Sequence, residues 1–249
     1  MGIRNYPLVG LVFLTHALLS SADTVVLPAT SFDTYSTLEQ YWAYLYPWGS
    51  DHNGSARMVG NSSDHEHISV SGGVLTLSAT PVSGQPPSTS NPHPAINYFS
   101  GTIHANVQIN VDGTDAVGYQ VEGEFISPTA KGTWPAFWLT AVNGWPPEAD
   151  IGEWKGTEQI WSNTFRTASD VSSSTVPWPA DGNFHCVKAV TSDLTIAYYL
   201  DDALQATHNA TGFLGQAMWL YMEGSSGSPG PSGTTIFQAR NVIVTKLTS

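Results

Sequence analysis

The chain has few charged residues, and very few of them are basic. Asp, Glu, Lys and Arg make up 11% of its 249 residues, against about 25% in an average soluble domain. Eight residues are Lys or Arg and twenty are Asp or Glu, which gives a formal net charge of −12. Binding of nucleic acid requires a basic surface, so nucleic acid is not expected as a partner. The scarcity of Lys, Arg and Glu also disfavours a bundle of helices with charged outer faces.

Cysteine and long apolar runs are scarce as well. Cys186 is the single cysteine, which excludes an internal disulfide framework and a Cys-rich zinc site. The apolar stretch at residues 8–19 is shorter than the roughly 18 residues that a membrane span needs. It follows Arg4 and precedes the small residues 20–22, which is the pattern of a secretory signal.

The sequence therefore predicts a signal peptide over residues 1–22 and a single mature domain over residues 23–249. We expect a secreted protein, extracellular or in the cell wall, without a membrane partner. N-glycosylation sequons then become meaningful, and they begin at Asn53, Asn61 and Asn209.

Short strand-like segments alternate with loops rich in Gly, Pro and Ser. Nine Trp, ten Tyr and nine Phe can fill a large core, and strands at turn-marked intervals favour an all-β sandwich or barrel. The predicted strands cover residues 74–78, 103–111, 117–126, 195–200, 216–222 and 236–247. The predicted loops cover residues 49–67, 81–94 and 225–235.

One helix is predicted near the start of the mature chain. Ser36 and Glu39 have the spacing of a capping box, with Ser36 as the N-cap. An apolar face follows at Leu38, Tyr41, Trp42 and Leu45, and Pro47 ends the segment.

Three acidic residues, Glu148, Asp150 and Glu153, lie within six positions. Glu148 and Asp150 share a face of a strand because side chains alternate, and a β-bulge near Ile151–Gly152 would bring Glu153 to the same face. Three carboxyl groups on one face repel one another, so at least one pKa should rise. Paired acids of this kind carry out glycoside hydrolysis, but a calcium site or an acidic surface strand fits the spacing equally well.

The surrounding residues resemble a known family. Residues 148–153 (EADIGE) resemble the E-x-D-x-x-E signature of glycoside hydrolase family 16, and residues 132–138 (GTWPAFW) resemble the strand that precedes it. The resemblance implies an all-β jelly-roll sandwich, the concanavalin A-like lectin/glucanase fold, with a concave substrate cleft. It also implies Glu148 as nucleophile, Glu153 as general acid/base, and Asp150 as the residue that tunes the nucleophile.

The resemblance further implies endo-hydrolysis of β-glycans with retention of configuration. We expect Trp134, Trp138 and Trp145 to bind sugar. Arg166 is expected either to bind substrate or to neutralise the acidic cluster. The preferred substrate is β-1,3-glucan, with another β-glycan such as β-1,3-galactan as the alternative, and with a non-catalytic carbohydrate-binding protein as a further alternative. We expect a monomer that requires no cofactor, and a structural calcium ion is left open.

Other polar residues give weaker signals. Glu223 ends a strand-like run, where it either borders the cleft or is exposed. His52, His65 and His67 are expected in a solvated loop rather than around a metal. His185 is expected to be a hydrogen-bonded core or rim residue, and Cys186 a buried thiol.

Overall fold

The computed structural model describes residues 22–192 and 194–248. Most of the predicted signal peptide, residues 1–21, lies outside this range. A 3₁₀ turn at Ala29–Phe32 and a helix, α1, at Tyr35–Tyr41 precede most of the strands. The strands are β1 Thr24–Leu27, β2 Trp42–Tyr44, β3 Ala56–Val59, β4 Ile68–Ser71, β5 Val74–Pro81, β6 Tyr98–Ala105, β7 Gly118–Ile126, β8 Ala136–Ala141, β9 Glu148–Glu153, β10 Gln159–Thr167, β11 Asp170–Pro177, β12 His185–Ser192, β13 Thr195–Leu200, β14 Ala203–Asn209, β15 Met218–Glu223 and β16 Thr235–Leu247.

The strands form two stacked layers joined by β6. The front layer runs β11-β10-β9-β8-β15-β6, with β2 on the far side of β6, and the back layer runs β5-β16-β7-β12-β13-β14. The first part of β6 pairs with β5 at Ser100, and its last part pairs with β15 at Ile103 and His104. Neighbouring strands are antiparallel apart from β3, which is parallel to β6. The prediction of an all-β jelly-roll sandwich is confirmed.

The core lies between the two layers and is rich in aromatic rings. Phe125 of β7 is 4.9 Å from Phe137 of β8, measured between ring centroids, and 5.5 Å from Phe237 of β16. Trp154 completes the cluster at 5.7 Å from Phe125 and is fully buried. This tryptophan therefore belongs to the core, because the residues at the back of β8 and β9 point away from the concave face.

The six predicted strands are all present; the strand at 195–200 has the predicted ends, and the ends of the other five are shifted. The run predicted at 103–111 begins earlier, at Tyr98, and ends at Ala105. Beyond that point Ile109 makes only an isolated bridge with Met218. The period-two pattern continues into this segment without a full partner strand, which is why the prediction extended too far.

The helix begins and ends earlier than predicted. Its N-cap is Thr34 rather than Ser36, and Thr34 and Thr37 form the reciprocal capping box. The helix ends at Tyr41 because Trp42 enters β2 and pairs with Ala105. In the part of the chain that the structure describes, no helix has the length and apolarity to cross a membrane.

Candidate active site

The predicted bulge is present in β9. On the β8 side, Trp138 faces Asp150 and Ala136 faces Glu153, so two steps along β8 match three steps along β9. The same shift occurs against β10. The extra residue turns Glu153 to the face that Glu148 and Asp150 share, as the alternation of side chains requires. The three acidic residues all line one cleft of about 960 Å³.

Strand register arranges the floor of this cleft in rows. One row runs across β9, β8 and β15 as Glu153, Ala136 and Glu223. The next runs across β10, β9, β8 and β15 as Asn163, Asp150, Trp138 and Tyr221, and a third as Phe165, Glu148, Thr140 and Trp219. The rows therefore bring acidic and aromatic side chains together on the concave side of the front layer.

Glu153 is surrounded by hydrogen-bond donors. The Trp134 indole N–H donates to Oε1 at 2.6 Å, and the Asn163 amide donates to Oε2 at 2.5 Å. The Lys155 ammonium lies 2.9 Å from Oε2 and 4.5 Å from the centre of the Trp134 ring. These contacts fix the orientation of the carboxyl group that is expected to act as the general acid/base.

Asn163 also connects Glu153 to Asp150. Its Nδ2 donates to Asp150 Oδ2 at 2.8 Å, so oxygens of the two carboxyl groups lie within two hydrogen-bond lengths of each other. Burial, followed by repulsion from Glu153 and Glu148, holds the pKa of Asp150 well above its ordinary range. The protonated form of Asp150 is therefore favoured more than in a free aspartate, as expected when like charges share a buried site.

Burial also raises the pKa of Glu148, to about 8, with smaller contributions from Glu153 and Glu223. The indole N–H of Trp145 faces Glu148 and acts in the opposite direction. The expected rise in pKa within the acidic cluster is thus present at two of its members. A proton held on Asp150 removes one negative neighbour and favours the ionised form of Glu148.

The three tryptophans predicted to bind sugar all line the cleft, in different settings. Trp145 is 50% exposed at the rim, whereas Trp138 is 4% exposed and stacks on Tyr221 at a centroid distance of 4.6 Å. Trp48, which the sequence analysis did not assign, is 47% exposed and stacks on Tyr46 at 4.8 Å. Aromatic planes of this kind match the C–H faces of sugar rings.

Arg166 does not reach the cleft. Asn163 and Phe165 face the cleft from β10, so Arg166 points to the other side of this strand. Its guanidinium binds Asp170, Ser172 and the Asn209 carbonyl oxygen. The position of Arg166 therefore contradicts both roles expected of it, and Lys155 is the cation that pairs with the acidic cluster.

Two of the three predicted loops contribute to the cleft. His52 and Asn53 line it from the first loop and Ser226 from the third. The loop at 81–94 instead packs on the partly buried ion pair of Asp51 and Arg57, where Thr89 donates to Asp51. No residue of that loop is among those that line the cleft.

Glu223 was expected either to border the cleft or to be exposed at a strand end, and it borders the cleft. It is 3% exposed and accepts a hydrogen bond from the Tyr46 hydroxyl. No local signal identifies this contact, because 177 positions separate the two residues. Within residues 22–192 and 194–248, no group of three or more His, Cys, Asp or Glu side chains could hold a metal ion.

The remaining predicted polar residues lie away from the cleft. His185 bonds to Asp201 at 2.8 Å and Asp181 at 3.0 Å, as expected for a hydrogen-bonded rim residue. Cys186 is a free thiol but is only partly buried, because it lies on the outer face of β12.

The cleft and its carboxyl groups define a class of protein, the glycan hydrolases, and comparison with known proteins agrees. No family model matches the chain. The chain is 54% identical over 233 residues to a galactan endo-β-1,3-galactanase of Flammulina velutipes, a match that spans 89% of this chain and 90% of the relative.

Solved structures share the fold at low sequence identity. A non-specific endo-β-1,3(4)-glucanase from family 16 superimposes with a TM-score of 0.68 and 15% identity, over 91% of this chain and 92% of that one. The endo-β-1,3-glucanase of Pyrococcus furiosus gives a TM-score of 0.63 and 17% identity, over 85% and 90%. The chain belongs to glycoside hydrolase family 16 and is a glycoside hydrolase.

Proposed function

We propose that the protein is a secreted, endo-acting hydrolase of β-1,3-galactan that retains anomeric configuration. The observation that carries this proposal is the bulge that gathers Glu148, Asp150 and Glu153 on one face of an aromatic-lined cleft. Galactan, which the sequence leaves open as the alternative to glucan, is proposed as the substrate because the relative with 54% identity is a galactanase.

In the proposed reaction the Glu148 carboxylate attacks the anomeric carbon while Glu153 donates a proton to the departing glycosidic oxygen. A covalent glycosyl-enzyme forms, and Glu153 then takes a proton from the water that hydrolyses it. The lining of the cleft supports this division, since Trp145 faces Glu148 and three donors orient Glu153. Carboxyl groups and water suffice for these steps, so the proposed reaction needs no cofactor.

Secretion and glycosylation belong to the same proposal. The asparagines of the three sequons, Asn53, Asn61 and Asn209, are all exposed, so each is open to modification. Asn53 also lines the cleft, so a glycan there would narrow the entrance. A monomer with a polysaccharide as its partner fits an open cleft formed by one chain.

The test is to compare wild type with Glu148→Gln on β-1,3-galactan and on laminarin, a β-1,3-glucan. Wild type is expected to release short galactan oligosaccharides with retained configuration. NMR of the anomeric proton of the newly formed products measures this configuration. Glu148→Gln should lower kcat by about 10⁴-fold or more if the nucleophile is lost. Glu122→Gln is the matched control, because Glu122 lies on the outer face of β7.

Hydrolysis of galactan by Glu148→Gln at the wild-type rate would overturn the mechanism. Inverted products would overturn retention. Cleavage of laminarin with no action on galactan would overturn the substrate and restore β-1,3-glucan, which is the substrate of several family members with this fold.

A further inference from the structure

A fourth carboxyl group, that of Glu223, lies on the floor of the cleft outside the E-x-D-x-x-E motif. Glu223 is opposite Ala136 on the neighbouring strand, and Ala136 is opposite Glu153 on the next. Two strand spacings of about 4.8 Å separate the backbones of the two glutamates by about 10 Å. The small side chain of Ala136 leaves room between them, so the two carboxyl groups flank a gap on the scale of one sugar ring.

The surroundings of Glu223 hold it in place without neutralising it. The Tyr46 hydroxyl donates to its Oε2, and the hydroxyl of Ser226 also faces the carboxyl group. No Lys, Arg or His forms an ion pair with Glu223 among the described residues. An ionised carboxyl group that is buried without a cation destabilises the fold, so no ion pair explains the presence of this side chain.

Two polar atoms on β8 and β15 lack hydrogen-bond partners within the described part of the chain. The Trp138 indole nitrogen faces Glu223 but forms no hydrogen bond of good geometry, and the Tyr221 hydroxyl has no partner. Trp138 is 4% exposed and Tyr221 is fully buried. Both atoms are enclosed, whereas Glu223 lines the cleft, so the carboxyl group of Glu223 is the group on this part of the floor that a ligand hydroxyl meets.

We propose that Glu223, held by Tyr46, binds the C4 hydroxyl of the galactose ring that lies over Ala136 and thereby determines specificity for galactan. This inference rests on the proposed function. β-1,3-Galactan and β-1,3-glucan differ only in the orientation of the hydroxyl at C4, which is axial in galactose. A fixed carboxyl group that bonds the axial hydroxyl loses that bond when the hydroxyl is equatorial, and such a loss discriminates strongly between substrates.

The experiment measures kcat and KM on β-1,3-galactan and laminarin for wild type, Glu223→Gln and Tyr46→Phe, with Glu122→Gln as the control. Glu223→Gln keeps the shape of the side chain and replaces one acceptor oxygen by a donor. Above about pH 7 the Glu223 carboxyl group is ionised, and a hydrogen bond to a charged group contributes about 1.5–3 kcal/mol, so kcat/KM on galactan should fall about 10- to 150-fold there. The ratio of galactan to laminarin activity should fall at least about 10-fold, and Tyr46→Phe should lower it in the same direction.

The two proposals fail in different ways. An unchanged galactan-to-laminarin ratio in a folded Glu223→Gln protein would overturn the role of Glu223 and leave the galactanase activity intact. An equal loss on both polymers would do the same, since a merely structural role predicts it. Wild type without activity on galactan would overturn the proposed function and this inference with it. Circular dichroism and thermal melting verify that each variant is folded. If Glu223→Gln does not fold, the galactan-to-laminarin ratio of Tyr46→Phe decides whether Glu223 determines specificity.

Discussion

Removal of the β9 bulge tests how the site is assembled. Ile151 and Gly152 together oppose the single residue Ser162 on β10, and on the other side Ile151 is skipped between Trp138 and Phe137 of β8. Deletion of Gly152 leaves Ile151 as the one residue between Asp150 and Glu153. Every strand pair on either side can then keep its present partner.

The geometry sets the expected size of the effect. The two steps along β8 fix the separation between Asp150 and Glu153 at roughly 7 Å, whether two or three steps of β9 cover it. The carboxyl groups should therefore stay in place, and we expect kcat/KM within about 10-fold of wild type. Gly152 lies against Ile160 and Trp154, which leave no room for a β-carbon there, so the Ile151 side chain must repack at a loss of about 1–3 kcal/mol.

Deletion of Ala149 is the matched control, because it removes a residue from the regular part of the same strand. Glu148 would then move to the core-facing position that Ala149 now fills, where exposure is zero. Side chains invert when the register slips by one residue, so the nucleophile leaves the cleft. We expect a loss of activity as large as that of Glu148→Gln, together with a fall in stability of several kcal/mol from the buried carboxyl group.

The assay is hydrolysis of β-1,3-galactan alongside thermal melting. A melting temperature about 3–10 °C lower would correspond to the expected repacking after deletion of Gly152. If that protein folds and yet is as inactive as Glu148→Gln, the bulge has a role beyond turning Glu153 to the cleft, and the register argument is wrong. Activity in the protein lacking Ala149 would refute it as well.

Further predictions concern the rim, the far side of β10 and pH. Trp145→Phe keeps a ring but removes the N–H that faces Glu148, so kcat should fall while KM stays within about 2-fold, whereas Trp145→Ala should also raise KM by about 3- to 10-fold. Arg166→Ala should leave kcat/KM unchanged, since its partner Asp170 is exposed and the ion pair contributes about 0–1 kcal/mol; a large kinetic loss would return Arg166 to the site. Burial raises the pKa of Glu223 to about 7, so its contribution to stability is present below about pH 4.5 and is lost as the pH rises to about 7. The free energy of unfolding, measured with urea at both pH values, should therefore fall between pH 4.5 and pH 7 by about 1–3 kcal/mol less in Glu223→Gln than in wild type. An identical pH dependence of the two proteins would contradict the raised pKa of Glu223.

Local patterns predict much of the fold because inward-facing and outward-facing side chains alternate along the strands with a period of two residues. The same period predicted the bulge, since Glu153 has the wrong parity for Glu148 unless one residue is added. Arg166 illustrates the limit of this reasoning. Because side chains alternate along a strand, Arg166 and Phe165 must point to opposite faces of the sheet. Only the pairing of Phe165 with Glu148 shows which of the two faces the cleft. The helix cap moved by two residues because Thr34, Ser36 and Thr37 can all accept hydrogen bonds, and the capping box forms only between the first and the last.

Glu223, Tyr46 and Lys155 could not be assigned by local signals. Glu223 reaches the cleft because β15 lies beside β8, a neighbour about eighty residues away in the chain, and in a register that puts it opposite Ala136. A shift of one residue in that pairing would turn Glu223 into the core and leave the cleft with three carboxyl groups. Such long-range register depends on the packing of the whole sandwich, and no short motif records it.

Four carboxyl groups and the ammonium of Lys155 line this cleft, although only 11% of the residues of the chain are charged. Full ionisation of all four would set several negative charges within a few ångströms in a partly dehydrated site, which burial and mutual repulsion oppose. The raised pKa values of Asp150, Glu148 and Glu223 are the response, since each proton retained removes one repulsive charge. The cleft is therefore more stable when partly protonated than when fully ionised, and mildly acidic conditions should favour the folded site. The protons on Asp150 and Glu223 also serve the proposed chemistry, because they lower the repulsion that opposes ionisation of Glu148, whose carboxylate must attack the anomeric carbon.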